Sequence, residues 1–155
     1  MITFLNAGVI AFLGLNLSLI PVNPVLVHPI EIETGKPAKV TPFNRIIVSG
    51  NVEILLVSRP TVGIHYADDN EGRVNVTQQG NVLRIYRGST AQTKVVVSIS
   101  NIYRIEAQDD SIVRSDGLLT AKFLQIIMKG NAKADVNVNV EGLYSEITER
   151  SVLKL

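Results

Sequence analysis

The hydrophobic pattern of this chain has the period of strands from Val40 onward. Apolar residues there show no repeat of 3.6, and short β-branched runs alternate with turn residues instead. The clearest run is VNVNV at 136–140, which places three valines on one face of a strand and Asn137 and Asn139 on the other. The pattern predicts an all-β fold whose valines face the core.

Each predicted strand is short, and turn residues separate most of the strands. Gly50, Gly80 and Gly130 are each followed by Asn, and glycine adopts a positive φ without a steric penalty. These three positions are therefore predicted to be corners. The predicted strands are RIIVSG, VEILLVS, VGIHYA, RVNVTQQ, VLRIYRG, KVVVSIS, YRIEAQ, SIVRSD, KFLQIIMKG, ADVNVNVEG, LYSEITE and SVLKL, with breaks at DDNEG, QQGN, RGST, SDG and KGN.

A repeat of strand, corner and strand occupies the C-terminal part of the chain. Its corners are Asp109-Asp110, Gly130-Asn131 and Glu149-Arg150, which lie 21 and 19 residues apart by subtraction of their positions. A period near 20 residues built from short strands indicates a β-solenoid-like stack, in which each coil buries its apolar face against the next. An antiparallel β-sandwich is the alternative, because its strands recur at a similar spacing.

The N-terminus is a separate segment. Residues 1–27 carry no charged side chain, and the apolar stretch 2–20 is about the length of a membrane span. We expect 1–27 to be a secretory signal peptide or an uncleaved membrane anchor; a buried helix of the domain is the third interpretation. Either of the first two places the rest of the chain outside the cytoplasm.

A proline-rich segment follows at 28–42. Proline fixes φ and has no N–H to donate, so this stretch is predicted to be an extended linker and not a helix. The folded domain is then expected to span 43–155.

Several of these runs resemble the putative auto-transporter adhesin, head GIN domain family. The resemblance covers about 40–155, and the corner at Asp109-Asp110 departs from it because it lacks glycine. It implies an extracytoplasmic bacterial protein with a right-handed β-solenoid-like fold. The matching residues are Phe43, Ile46, Val48 and Gly50 in the opening run, Gly80, Leu83 and Ile85 in the second, and Gly130, Asn131 and Ala132 at a later corner.

Composition excludes several classes of partner and chemistry. With 15 basic and 14 acidic residues, the chain has no global positive field for nucleic acid, and we expect contact with a membrane only through the N-terminal segment. Cysteine is absent, which removes disulfides, thiolate catalysis and cysteine-ligated zinc.

Candidate catalytic and metal-ligating residues are few. His28 and His65 are isolated, and both are expected to be ordinary linker or strand residues. The carboxylates in 68–71 (DDNE) and at Asp109-Asp110 are candidate calcium ligands, and Asp109-Asp110 is also a candidate glycosidase pair. Solvated turns explain both clusters better than calcium sites do, because neither has the spacing of a calcium-binding loop. Adjacent strand residues point to opposite faces, which argues against a facing glycosidase pair. We predict no catalytic residue, cofactor or metal.

The sequence therefore predicts a non-catalytic binding or structural domain that is adhesin-like and contacts a protein or glycan of the cell envelope. Two alternatives stay open: a carbohydrate-active enzyme on a β-solenoid, and a membrane-anchored sensory or scaffold domain. The terminal run SVLKL has a single lysine among apolar residues, so its edge is expected to fray or to pair with another copy of the chain or a partner.

Overall fold

The computed structural model describes residues 26–33, 37–67, 73–88 and 90–155. These ranges contain strands and no helix, which confirms the all-β prediction. Accordingly, the described residues include no helical segment with the length and apolarity of a membrane span. The strands are β1 (His28–Ile30), β2 (Arg45–Gly50), β3 (Val52–Ser58), β4 (Gly63–Tyr66), β5 (Asn75–Gln79), β6 (Val82–Arg87), β7 (Thr93–Ile99), β8 (Arg104–Ala107), β9 (Ile112–Met128), β10 (Lys133–Ile147) and β11 (Val152–Lys154).

The strands form one mixed sheet that is curled and open and makes a half-barrel. Its order is β1-β5-β6-β2-β8-β9-β3-β7-β4, with β10 beside β9 and β11 beside β10. Two runs of neighbouring strands are parallel throughout, and they share β9 and β10. The first run is β6-β2-β8-β9-β10. The second run is β7-β3-β9-β10-β11.

Antiparallel pairing is confined to the first half of the domain. β5 and β6 form a hairpin through Gly80-Asn81, β4 pairs with β7, and β1 pairs with β5. The sheet is mixed for this reason, and neither a uniform parallel stack nor a purely antiparallel sandwich describes all of it.

The three predicted corners of the repeat lie directly on one another. The Asn131 N–H donates to the Asp109 carbonyl at 2.9 Å, and the Arg150 N–H donates to the Gly130 carbonyl at 2.9 Å. Asp109, Gly130 and Glu149 have φ values of 59°, 73° and 62°. Each corner thus turns through the left-handed region at the same place, although glycine occupies only the middle one.

Two of the predicted glycine corners have different surroundings. Gly50 has a φ of 77° at the corner between β2 and β3, and a methyl group there would come within 1.8 Å of the Arg87 carbonyl oxygen. Gly80 has a φ of 56° in an open hairpin turn, where a methyl group would meet no described atom within 4 Å. Of these two positions, backbone packing therefore demands glycine at Gly50 and not at Gly80.

The predicted break at SDG, residues 115–117, is wrong. β9 continues through it, and the pairing register with β10 shifts between Asp135 and Asn137. Gly117 has a φ of 86°, so this glycine forms a bulge within a strand and not a turn between strands. The runs ADVNVNVEG and LYSEITE likewise form one strand, β10.

Part of the predicted linker 28–42 belongs to the sheet. β1 pairs with β5, Ala38 forms a bridge with Ile64, and Ile32 is buried. Pro29 is compatible with β1 because β5 is the one strand that pairs with it among the described residues. Residues 1–25, where most of the predicted signal peptide or anchor falls, lie outside the described ranges.

The core fills the inside of the curled sheet with aliphatic side chains. In β10, Val136 is 1% exposed, Val138 and Val140 are partly buried against the core, and Asn137 and Asn139 are exposed. The predicted faces of VNVNV are confirmed. Alternation of this kind leaves every second residue of each strand on the other side of the sheet.

Candidate binding face

The side of the sheet that points away from the core carries a mixed polar and aromatic surface. We define the outer face as this side of β5, β6, β2 and β8, together with residues 123–128 of β9 and 142–147 of β10. In β2 and β6, for example, Ile46 and Leu83 are buried, whereas Arg45, Arg84 and Tyr86 are half-buried or exposed.

Strand register places the outer residues in straight rows across the sheet. One row joins Arg84, Ile47, Glu106, Ile127 and Glu146 as successive Cα partners. Because these pairs are all parallel and unshifted, side chains far apart in sequence come to lie side by side.

The next row brings two like charges together. Arg45 of β2 and Arg104 of β8 are direct Cα partners, and Arg104 is followed across the sheet by Gln125 and Tyr144. Neighbouring strands lie about 4.8 Å apart, at which distance like charges repel unless another group compensates them.

An arginine groove lies on this part of the outer face. It is a cavity of about 520 Å³ that spans β5, β6, β2 and the end of β8. Its walls combine cationic, aromatic, hydroxyl and amide groups, and so offer both charge and hydrogen bonds to a ligand. The lining residues with polar or aromatic side chains are Arg45, Ser49, Asn75, Thr77, Arg84, Tyr86, Glu106 and Gln108.

Electrostatic compensation in the arginine groove is incomplete. The Arg104 Nε lies 2.6 Å from Glu106 Oε1, so the carboxylate that lines the groove is already paired. In the described part of the chain, neither Arg45 nor Arg84 makes an ion pair. The Nε of Arg45 is also shielded from solvent and has no hydrogen-bond partner there.

An aromatic patch lies beside the arginine groove, across β8, β9 and β10. We define it as Tyr103, Phe123 and Tyr144, which are 41%, 54% and 55% exposed and line a cavity of about 310 Å³. Gln125 lies between the two tyrosines and donates to the Tyr103 hydroxyl at 3.0 Å.

Gly142 creates room for the Phe123 ring in the aromatic patch. The two residues are Cα partners in β9 and β10, and a methyl group at Gly142 would come within 2.6 Å of the ring. The ring therefore lies across the neighbouring strand, which holds it in place while more than half of its residue remains exposed.

Asp109 and Asp110 hold the stacked corners together. The Asp109 carboxylate accepts from the Gly50 N–H at 3.1 Å, and the Asp110 carboxylate accepts from the Asn131 side-chain amide at 3.0 Å. Each carboxylate thus has a structural partner, and the two accept from different corners. This arrangement favours the structural interpretation over a glycosidase pair.

The remaining candidate residues do not converge. His28 lies in β1 and His65 in β4, which stand at opposite ends of the strand order. The acidic run at 68–71 lies outside the described residues. Within the described ranges, no group of three histidine or acidic side chains is arranged to hold a metal ion.

Sequence reasoning missed the arginine groove. The arginines lie in three separate runs, RIIVSG, VLRIYRG and YRIEAQ, and none of these looks unusual alone. The available signal was positional: Arg45 and Arg104 occupy the same place at the start of similar strands. A register that stacks those strands brings the charges together.

A family model described as "Putative auto-transporter adhesin, head GIN domain" matches residues 42–155. Its lower limit falls one residue before the domain boundary expected from the sequence. Among curated proteins, none matches this sequence.

The fold is similar to those of solved structures. One is a putative adhesin from Bacteroides fragilis, with 19% identity and a TM-score of 0.65, covering 84% of this chain and 62% of that one. Another is a putative adhesin from Parabacteroides merdae, with 15% identity and a TM-score of 0.52, covering 74% of this chain and 52% of that one. The matched region thus spans less than two thirds of either relative.

Proposed function

Because the chain belongs to the putative auto-transporter adhesin, head GIN domain family, we propose that it is an extracytoplasmic, non-catalytic binding domain. It is adhesin-like, and it contacts a glycan or a protein of the cell envelope through the outer face. The charge-free segment 1–27 supports export, either as a signal peptide or as a membrane anchor.

The observation that carries this proposal is the aromatic patch. Tyr103 immediately before β8, Phe123 in β9 and Tyr144 in β10 are each more than 40% exposed, and these three strands are neighbours in one sheet. Rigid aromatic side chains lose little conformational entropy on binding and form the centres of many interfaces. Gln125 and the nearby arginine groove add polar groups around them.

The parallel part of the sheet supports a finer description of the fold. We propose that the repeats around the corners at 109–110, 130–131 and 149–150 form a short right-handed β-solenoid. Parallel register and corner-to-corner hydrogen bonds support this description. In such a stack, the outer face is a rigid surface on which the side chains lie in rows with fixed spacing.

The edge of the last coil supports self-association. β11 pairs with β10, and within the described residues no strand lies on its other side. Val152 and Leu155 are each 56% exposed there, and Lys154 is engaged with Asp135 at 3.1 Å. We propose that this edge pairs with another copy of the chain, because unpaired strand edges template such contacts.

Binding to isolated bacterial envelope vesicles tests the proposed function. The full chain is fluorescently labelled and titrated with vesicles that are untreated, oxidised with periodate or digested with protease. We expect saturable binding that one of the two treatments removes, which identifies a glycan or a protein as the target. Absence of saturable binding to untreated vesicles contradicts the proposal.

A matched pair of variants localises that binding. Phe123→Ser together with Tyr144→Ser removes most of the aromatic patch. Leu118→Ser removes an apolar side chain that is also 54% exposed but lies at the β9 bulge, outside the patch. We expect binding to fall in the first variant and to persist in the second.

A further inference from the structure

We propose that the arginine groove is a subsite for an acidic sugar, one whose carboxylate or sulfate group binds Arg45 and Arg84. This inference rests on the proposed function, and it names the ligand class for one part of the outer face. It follows from charge, an unpartnered donor and the shape of the groove.

The charge of the groove favours an anion. Glu106 is paired with Arg104, so the charges of Arg45 and Arg84 have no counterpart among the described residues. Arg45 also lies directly across the sheet from Arg104, so two guanidinium groups share the neighbourhood of one carboxylate, that of Glu106. A bound anion would supply the negative charge that Arg45 lacks.

The Arg45 side chain has an unpartnered donor in a sheltered position. Its Nε is shielded from solvent and has no hydrogen-bond partner within the described ranges. A shielded donor without a partner is costly, and an anion bound beside it would satisfy it. Carboxylate and sulfate oxygens match the planar fork of a guanidinium, which can bind two of them at once.

The other walls of the groove favour a sugar over an acidic peptide. Ser49, Thr77, Asn75 and Gln108 provide hydroxyl and amide groups suited to the hydroxyls of a sugar. Tyr86 is 48% exposed beside them and offers a surface against which a ring can pack. The volume of about 520 Å³ lies within the range of small-ligand sites.

A row of Cα partners links the groove to the aromatic patch. The row of partners that begins at Arg45 and Arg104 continues through Gln125 to Tyr144. A polysaccharide bound in the groove would therefore reach the patch along the same face. The two regions would then bind different parts of one ligand. The arginine groove would bind its charged groups, and the aromatic patch would contact the apolar faces of its sugar rings.

The test measures binding of the full chain to four immobilised polymers: polygalacturonate, dextran sulfate, neutral dextran and polyglutamate. The first two carry the proposed anions on sugars, the third lacks charge, and the fourth carries carboxylates without sugars. We expect binding to at least one acidic polysaccharide, no binding to dextran, and weaker binding to polyglutamate. Raising NaCl from about 50 mM to about 300 mM should weaken the interaction, because salt screens exposed charges.

Variants assign the binding to the groove. Arg84→Gln and the double variant Arg45→Gln with Arg84→Gln should bind the preferred polymer about tenfold more weakly or worse, since hydrogen bonds between charged groups are among the strongest in proteins. Arg59→Gln, an exposed arginine outside the groove, should bind as the parent does. Arg84→Lys keeps the positive charge but loses the planar guanidinium that binds two oxygens at once, so the affinity of this variant should be intermediate.

The outcomes separate this inference from the proposed function. Failure to bind either acidic polysaccharide, equal binding to polyglutamate, or parent-like binding by Arg84→Gln would overturn the acidic-sugar subsite. Circular dichroism confirms that each variant is folded, and Arg84 is exposed enough for its substitution to leave the core intact. Vesicle binding that persists in these arginine variants and is lost in the aromatic-patch variant would leave the proposed function standing.

Discussion

The Asp109 carboxylate accepts a hydrogen bond from the Gly50 N–H at 3.1 Å, across 59 residues of sequence. Both residues have a positive φ, and each forms a corner between strands. The bond ties the corner between β2 and β3 to the first corner of the repeat, which lies between β8 and β9. An aspartate at this place thus combines a tolerated left-handed conformation with a side chain that reaches the next corner.

Gly50→Ala is expected to destabilise the fold by about 3 kcal/mol or more, because left-handed strain adds to a backbone clash. Its methyl group would lie within 1.8 Å of the Arg87 carbonyl oxygen. Urea unfolding followed by circular dichroism measures the change in the free energy of unfolding. The control is Gly80→Ala, where the hairpin is open and the cost should stay at about 1 to 2 kcal/mol. Equal costs at the two glycines would contradict the assigned corner geometry.

Asp109→Ala should lower the free energy of unfolding by about 1 to 2 kcal/mol, since it removes the bond to Gly50. Asp109→Asn keeps an acceptor oxygen and tolerates the positive φ, so its cost should be less than about 1 kcal/mol. The same urea experiment compares them. Parent-like stability of Asp109→Ala would show that the corner bond contributes nothing.

Val136→Asp should cost about 3 kcal/mol or more, because it places an unpaired charge in the core. Asn137→Asp is the adjacent control on the exposed face and should change stability by less than about 0.5 kcal/mol. Val138→Asp should fall between the two, since Val138 is only partly buried. Similar losses at Val136 and Asn137 would mean that the faces of β10 are reversed.

The edge of β11, which no other described strand covers, should promote self-association. Light scattering across a concentration series is expected to show a rising mass, and hydrogen exchange over 143–155 should slow as association proceeds. Val152→Lys should reduce association, whereas Leu118→Lys, at a similarly exposed position in β9 away from this edge, should not. A strict monomer in which 143–155 is strongly protected would exclude this contact.

The local features of the fold could be predicted from sequence because they depend on neighbouring residues. Alternation in VNVNV gave the correct faces, and the polar pairs at 109–110, 130–131 and 149–150 are corners as predicted. The continuation of β9 through Gly117 could not be predicted, because glycine with a positive φ serves bulges as well as turns.

The outer face depends on pairing between strands that are far apart in sequence. Local sequence patterns do not predict which of these strands pair or in what register. Arg45 and Arg104 meet only because β2 and β8 pair in parallel with matched starts. The aromatic patch likewise requires Phe123 to lie opposite Gly142, and the sequence shows this only once the register between β9 and β10 is known. Residues 28–30 of the predicted linker join the sheet as β1, which pairs with β5, although the prolines around them indicate a linker.

The most direct test of the central claim is the affinity of envelope vesicles for two matched variants. If the outer face is the binding surface, Phe123→Ser with Tyr144→Ser should weaken vesicle binding about tenfold or more, since exposed aromatic anchors contribute most to such interfaces. Leu118→Ser, with the same exposed fraction as Phe123, should bind as the parent does. Equal affinities for the two variants, with both folded, would contradict the claim that this domain binds through its outer face.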